Sequence, residues 1–431
     1  MVTLDETIQA LEAIVKGVPV GTNLGLVHFI WMLLQGQLLS YRGAIFPSLQ
    51  GSGFDEATCR RSWAAFRYGK WKSDELIANW RSYVLEQGVW EVHRYEGYRV
   101  LAVDLTGYFR PRLKSWWSKH FHALVGRALP AVIFGVMVSV GRVGSERVPV
   151  LRGLVRGHGS TDSEVMKEVL KEVALRQEAD EMAVFDAGFS IALLEDADIK
   201  TALVRLPQNI TFRRNKIPPY CGKGRPQVYG ALVRPLPRTY KGTTIEGSPA
   251  DTTSQIEVAG RTVEVRCWQG LVRSDRKASQ DNPTWNIYCL DDPLYDKPLL
   301  LACSVSLSPA SALAIYQDRW PVEVLPLTSK QILGAHRHFV FNRESCFRLP
   351  ELTLIVGGML VYLAATMPAI PTGFWDRTPK PTSGRLRRWL AKLSFWDLPW
   401  SDPQLRKKEA VTDHLPKGAA GHRRKKADTS S

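Results

Sequence analysis

Tyr316, Arg319, Glu323 and Lys330 follow one another at spacings of three, four and seven residues within YQDRWPVEVLPLTSK. On a helix turning 100° per residue, these four fall within an arc of about 60°. One face then presents a phenol, a guanidinium, a carboxylate and an ammonium, a set suited to a phosphodiester. The phenol and the two cations can grip non-bridging oxygens and neighbouring phosphates, while the carboxylate can hold a divalent metal that the phosphate also touches. Pro321 and Pro326 interrupt a single helix, because each lacks an N–H and clashes with the carbonyl four residues back. Pro321 is expected to open a second helix at its first turn and Pro326 to kink it, so the shared face is approximate. The plain alternative is an amphipathic surface helix laced with ion pairs.

Two further acids stand where strands should end. Residues 99–105, RVLAVDL, read as a buried strand that delivers Asp104 to the rim of a sheet. Residues 182–189, MAVFDAGF, read as another that ends in Asp186, with Gly188 for a tight turn into 191–194. Between them lie an apolar strand over 131–140, a turn at 141–144, and a helix over 163–178 capped by Thr161 or Ser163. A single Asp at a strand end more commonly caps a turn. A buried carboxylate is costly unless it meets a cation or a metal.

The Tyr-Arg-Glu-Lys spacing, its RWPVE context, the Lys330-Gln331 pair and Gly334 resemble the YREK signature of bacterial DDE transposases of the insertion-sequence-four-like group. The resemblance implies an α/β fold: a ribonuclease H-like catalytic core interrupted by a β-rich insertion, with a helical N-terminal DNA-binding domain and a basic C-terminal tail. It makes Asp104, Asp186 and Glu323 the catalytic, metal-holding acids, DxGF at 186–189 being the usual context of the second. It gives Tyr316, Arg319 and Lys330 to DNA phosphates. It also implies strand cleavage at element ends, cut-and-paste transfer into target DNA, and a homodimer in the paired-end complex. An aromatic from the insertion can stack on a base near the cut, for which Trp268 and Trp285 are available, although either is more often a core tryptophan.

Three carboxylates held together repel one another unless cations neutralise them, so their convergence predicts a divalent metal. Mg²⁺ fits better than zinc because the set holds no His or Cys, and Mn²⁺ can substitute. Two ions about 3.5–4 Å apart would serve the attacking and leaving oxygens. The rivals are a ribonuclease H-like nuclease that cuts without joining, and a transposase-derived DNA-binding protein without catalysis. The presence of all three acids and the lysine weighs against the latter.

Helical periodicity dominates residues 1–95. A helix capped near Asp55 or Ser52 and running through Tyr68, followed by another from Ser73, suggests a helix-turn-helix with Arg60 and Arg61 on the DNA backbone. A helical bundle with a solvated basic face is the alternative. The core then runs over 96–206 and 301–375 around a β-rich insertion at 207–300, with strands expected at 255–267, 284–290 and 299–305. Within the insertion, Lys223-Gly224-Arg225-Pro226 resembles an AT-hook, whose arginine enters a narrow minor groove, or is simply a basic loop.

The chain has 431 residues, a net charge of +15 and 45% hydrophobic residues, which suits a globular protein with a polyanionic partner. Residues 377–431 carry fourteen Lys and Arg against five Asp and Glu, a net +9. An amphipathic helix over 385–400 is expected to pack or dimerise, and the basic run over 406–426 to hold double-stranded DNA by salt-sensitive contacts. Cys59, Cys221, Cys267, Cys289, Cys303 and Cys346 are scattered without zinc spacing and read as reduced thiols. The first residues carry two early acids and no basic region ahead of their apolar positions, so they are not expected to act as a secretory signal, and no Walker loop implies ATP. Residues 352–371 are apolar enough to tempt a membrane assignment, but their Gly357-Gly358 pair suits a buried core helix better. A bacterial cytoplasmic protein at the nucleoid is expected.

Overall fold

The computed structural model describes residues 2–406 apart from 114, 115, 117, 159, 160, 221, 223, 224 and 338. The basic run from 407 onward, Lys223 and Cys221 therefore lie outside the described residues. Six helices come first: α1 (Val2–Ile14), α2 (Thr22–Leu34), α3 (Gln37–Ser40), α4 (Ile45–Gly51), α5 (Glu56–Tyr68) and α6 (Ser73–Glu86). Next come β1 (Glu91–Val92), β2 (Arg94–Tyr95), β3 (Tyr98–Phe109), β4 (Lys119–His122), β5 (Arg127–Val143), β6 (Glu146–Arg156), α7 (Asp162–Arg176), β7 (Glu181–Phe185), α8 (Ile191–Asp196) and β8 (Ala202–Arg205). Eight strands follow: β9 (Phe212–Arg214), β10 (Leu232–Val233), β11 (Arg238–Tyr240), β12 (Thr243–Ile245), β13 (Thr252–Val258), β14 (Arg261–Arg273), β15 (Trp285–Asp291) and β16 (Leu299–Cys303). The chain returns to helix in α9 (Pro309–Gln317), α10 (Pro321–Leu327), a π-helical turn (Thr328–Ile332), α11 (Arg343–Thr366) and α12 (Ser383–Leu390).

The protein is mixed α/β. One large mixed sheet runs in the order β1-β5-β3-β7-β8-β16-β15-β14-β9-β10, with β6 and β4 also on β5. β3, β7 and β8 are parallel, whereas β5 runs antiparallel to both β3 and β6. A parallel β3–β7 pair needs a crossover, and α7 supplies its last leg. Thr161 and Glu164 close a reciprocal capping box at the start of α7, which fixes where that helix begins.

Strand alternation splits the core between two faces. Val100 and Ala102 of β3 and Met182 and Val184 of β7 join the cluster formed with the N-terminal helices, α10 and α11. Leu101, Val103, Ala183 and Phe185 join the opposite cluster with α7 and α8. Both sides of these strands are covered, which is why they read as continuous apolar runs. α11 is the one described helix long and apolar enough to cross a membrane, and it is buried. Arg156 of β6 ties it down, donating to Glu351 at 2.6 Å and to Glu344 at 2.9 Å.

Several expectations need correction. β3 runs on to Phe109, so Asp104 lies inside a strand, two residues past the end of its pairing with β7. β6 was not expected, and the strand placed at 255–267 is the β13–β14 hairpin, turning at Ala259-Gly260 with both residues at positive φ. The segment 207–300 is rich in strands, and β16 pairs with β15 on one side and with β8 on the other, so these strands extend the central sheet. Asp55 caps α5 as expected, accepting from Thr58 N–H at 2.7 Å. α5 packs mainly on α2, while α6 packs on α1 and β6. α12 stops at Leu390 and packs inward, and Gln35 Nε2 donates to the carbonyls of Leu390 and Leu393.

Candidate active site

Adjacent strands deliver the first two acids. The parallel pairing of β3 with β7 ends at Ala102 opposite Val184, and Asp104 and Asp186 each stand two residues further on. Leu105 N–H donates to Asp104 Oδ1 at 2.8 Å. Burial, then the negative charge of nearby Asp186, and more weakly that of Glu323, push the Asp104 carboxyl up to about 6 against the opposing pull of Arg319. Asp186 follows β7 directly, and its Oδ1 accepts from Gly188 N–H at 2.9 Å. A Cβ at position 188 would stand 3.1 Å from that oxygen, so glycine leaves the turn room to close.

The third acid arrives by helix. Pro321 opens α10 at its first turn and Glu323 follows in that turn. Tyr316 lies in α9 and Arg319 in the break between the helices, so the four signature residues do not share one helical face. The break nevertheless gathers them. Arg319 Nη2 donates to Glu323 Oε1 at 2.9 Å, and Nη1 stands 3.6 Å from Asp104 Oδ2. The guanidinium lies 5.8 Å from the Tyr316 ring centre and 5.6 Å from that of Trp320. Burial opposes its charge, but Asp104, Tyr316 and Glu323 outweigh burial and raise its pKa. Its Nε and Nη1 are enclosed without a hydrogen-bond partner. Donors left in that condition carry a desolvation cost.

After Pro326 the helix widens into the π-helical turn, closed by Leu333 N–H on the Thr328 carbonyl, and this turn carries Lys330. Lys330 Nζ donates to Thr106 Oγ1 at 2.7 Å and lies 5.1 Å from the Tyr108 ring centre. Burial pulls its pKa down to about 8, with Asp104 opposing. Asp104, Thr106 and Tyr108 alternate along one face of β3, which points at α10 and the π-helical turn. Tyr108 hydroxyl meets Ser329 Oγ at 2.6 Å and Ser329 donates to Thr353 at 2.8 Å, locking β3, the turn and α11 together.

Thr106, Tyr108 and Asp318 were not singled out from the sequence. The first two were accessible through the period-two pattern running on from Asp104. Asp318 is fully buried beside Arg319, where its Oδ2 accepts from Tyr95 hydroxyl at 2.7 Å and meets His93 Nδ1 at 2.6 Å.

The remaining candidates lie apart from this cluster. Arg60 is exposed and pairs with Glu56 at 2.5 Å, while Arg61 donates to Thr58 at 2.8 Å along α5. Arg225 is exposed. Trp268 and Trp285 are corrected to core residues: both are buried, with their indole N–H groups donating to the Pro249 carbonyl and to Glu195. Neither face is open to a base in this conformation. The five described cysteines are free and buried.

Among the described residues, no three His, Cys, Asp or Glu side chains stand within ligand reach of a single point. The guanidinium of Arg319 lies between Asp104 and Glu323 instead. The donor chemistry still suits a hard divalent cation, since all three groups are carboxylates and Asp104 is held up by burial and then by its acidic neighbours. Comparison with protein-family models and with curated proteins finds no match to this chain.

Proposed function

We propose that the chain is a DNA transposase with a ribonuclease H-like core, cutting at the ends of its element and joining the freed 3′ ends to target DNA. The observation that carries this reading is the approach of distant acids: Asp104 in β3, Asp186 just past the end of the parallel neighbour β7, and Glu323 linked to Asp104 through Arg319. A helix between the two strands and a later helix packed over β3 agree with the fold that the YREK resemblance implies.

Asp104, Asp186 and Glu323 would hold Mg²⁺, or Mn²⁺ in its place. Bound there, divalent metal supplies a neutralised phosphate, an activated water and a stabilised leaving oxygen. Arg319 supplies a fixed positive charge between Asp104 and Glu323, and Lys330, held by Thr106, adds a second positive charge beside Asp104. Tyr316 flanks the guanidinium and limits where it can swing. Double-stranded DNA, a homodimer that pairs two ends, and action at the bacterial nucleoid belong to the same proposal.

The test is incubation of a labelled duplex carrying the DNA that flanks this gene with protein and Mg²⁺, comparing wild type with Glu323→Gln. Metal-dependent cleavage that disappears in the variant supports the proposal. DNA binding without cleavage in either protein, with Mn²⁺ and paired ends also tried, replaces it with a binding protein that lacks catalysis.

A further inference from the structure

A cavity of about 180 Å³ lies where α1, α6 and α11 pack together, and none of its lining residues belongs to the acid cluster described above. Each helix contributes polar atoms to its wall. Glu6 comes from α1, Tyr83 and the C-cap Gln87 from the end of α6, and Tyr362 and Thr366 from the end of α11. Tyr83 and Tyr362 are buried, with ring centres 6.5 Å apart, and both rings pack on Trp80. Gln87 and Val89 are exposed and form the open side.

In a chain of net charge +15, this wall is electronegative. Among the described residues that line it, Glu6 is the only charged one. Glu6 Oε2 and the Tyr362 hydroxyl are enclosed without a hydrogen-bond partner. Burial raises the pKa of the Glu6 carboxyl, while burial and then the Glu6 charge push the Tyr83 phenol up to about 12. α6 and α11 both end at the cavity, and neither carries a basic residue in its last turn, so the negative ends of two helix dipoles meet there without a cation of their own. A buried carboxylate is costly until a cation joins it. A hard metal ion calls for about six oxygen ligands, whereas one carboxylate among phenol rings and valines suits an organic cation.

We infer that this cavity binds the end of an alkylammonium chain of the polyamine class, its ammonium on the Glu6 carboxylate and the Tyr362 hydroxyl and its methylenes against Val89 and Val143. The site is independent of the DNA-cutting proposal. The positive charge of the rest of the chain keeps competing amine binding weak, so a simple diamine is an adequate probe.

The experiment titrates putrescine into the full chain by isothermal calorimetry, without DNA, and follows the melting temperature over the same range, with butane-1,4-diol as the uncharged counterpart. Saturable binding of the diamine that raises the melting temperature, with no effect of the diol, is the expected result. Glu6→Gln, which keeps the shape and removes the charge, is expected to weaken binding about tenfold, and Tyr362→Phe, which removes one oxygen, about threefold. Should Glu6→Gln fail to fold, Tyr362→Phe and the diol comparison decide. Diol binding as tight as that of the diamine, unchanged affinity in the folded variants, or no saturable heat up to about 10 mM putrescine overturns the inference and leaves the DNA-cutting proposal untouched.

Discussion

Arg319 donates to Glu323 at 2.9 Å while its other terminal nitrogen stands 3.6 Å from Asp104, so one side chain spans two acids that are 219 residues apart in the chain. A buried guanidinium in this position offsets carboxylate repulsion and, on the proposed function, adds positive charge beside the reacting phosphate. Arg319→Ala is therefore expected to slow single-turnover DNA cleavage by about 10²–10³-fold. Arg319→Lys should recover little, because an ammonium cannot reach both acids with a planar fork. Quench-flow or gel time courses at saturating protein measure both.

Asp104 gives a stability signature with a definite sign. Its carboxyl is held up to about 6 in the fold against an ordinary 3.8, so between those values the folded chain binds more protons than the unfolded one. Stability consequently falls as pH rises through that window, and the full cost is present above it. The difference corresponds to roughly 3 kcal/mol at most. Asp104→Asn should melt at a higher temperature than wild type at pH 7.5, with the gap closing below pH 4. Mg²⁺ or Mn²⁺ should raise the wild-type melting temperature and leave the variant unmoved, which scanning calorimetry checks.

Lys330 titrates in the other direction. Burial lowers its pKa to about 8, so the folded chain releases this proton before the unfolded one does, and the cost of the buried charge is relieved as pH rises from 8 toward 10.5. Positive charge beside the phosphate is lost over the same range. Wild-type cleavage should decline above pH 8, whereas Lys330→Arg, if it cleaves at pH 7, should hold its rate to pH 9.5. A pH–rate profile of the two proteins decides this.

Asp318 acts through its neighbour. It is fully buried, anchored by Tyr95 and His93, and sits in the break that presents Arg319. Asp318→Ala should lower stability by about 3 kcal/mol because Tyr95 and His93 lose their shared acceptor. Asp318→Asn, which keeps an acceptor, should fold better and still cleave slowly. Its loss in cleavage should be largely absent when Arg319 is already alanine, a non-additivity that a double-mutant cycle reads out.

What the sequence disclosed was local. β3 and β7 announced themselves as apolar runs buried on both faces, and α5 and α7 through Asp55 and Thr161 at their caps. β6 was hidden by Pro149 and Gly153 and by its charged ends, and the β13–β14 turn by Ala259-Gly260 standing inside a continuous strand-like run. Burial of Trp268 and Trp285 depends on Pro249 and Glu195, partners that only the folded sheet supplies. The same holds for the site. The strand patterns and the YREK resemblance nominated Asp104, Asp186, Glu323 and Lys330, but the strut from Arg319 and the Thr106 bond to Lys330 are long-range contacts that no periodicity encodes.

The central claim is that Asp104, Asp186 and Glu323 form one metal-dependent site that both cuts and joins DNA. Its most direct measurement is a strand-transfer assay with pre-cut element ends, supercoiled target DNA and Mg²⁺, run on wild type and on Asp104→Asn, Asp186→Asn and Glu323→Gln. Joined products from wild type, lost in each single variant while end binding persists, are the expected result. Cleavage without joining by wild type on intact and pre-cut ends would mark a nuclease, and joining that survives removal of any one acid would contradict the shared site.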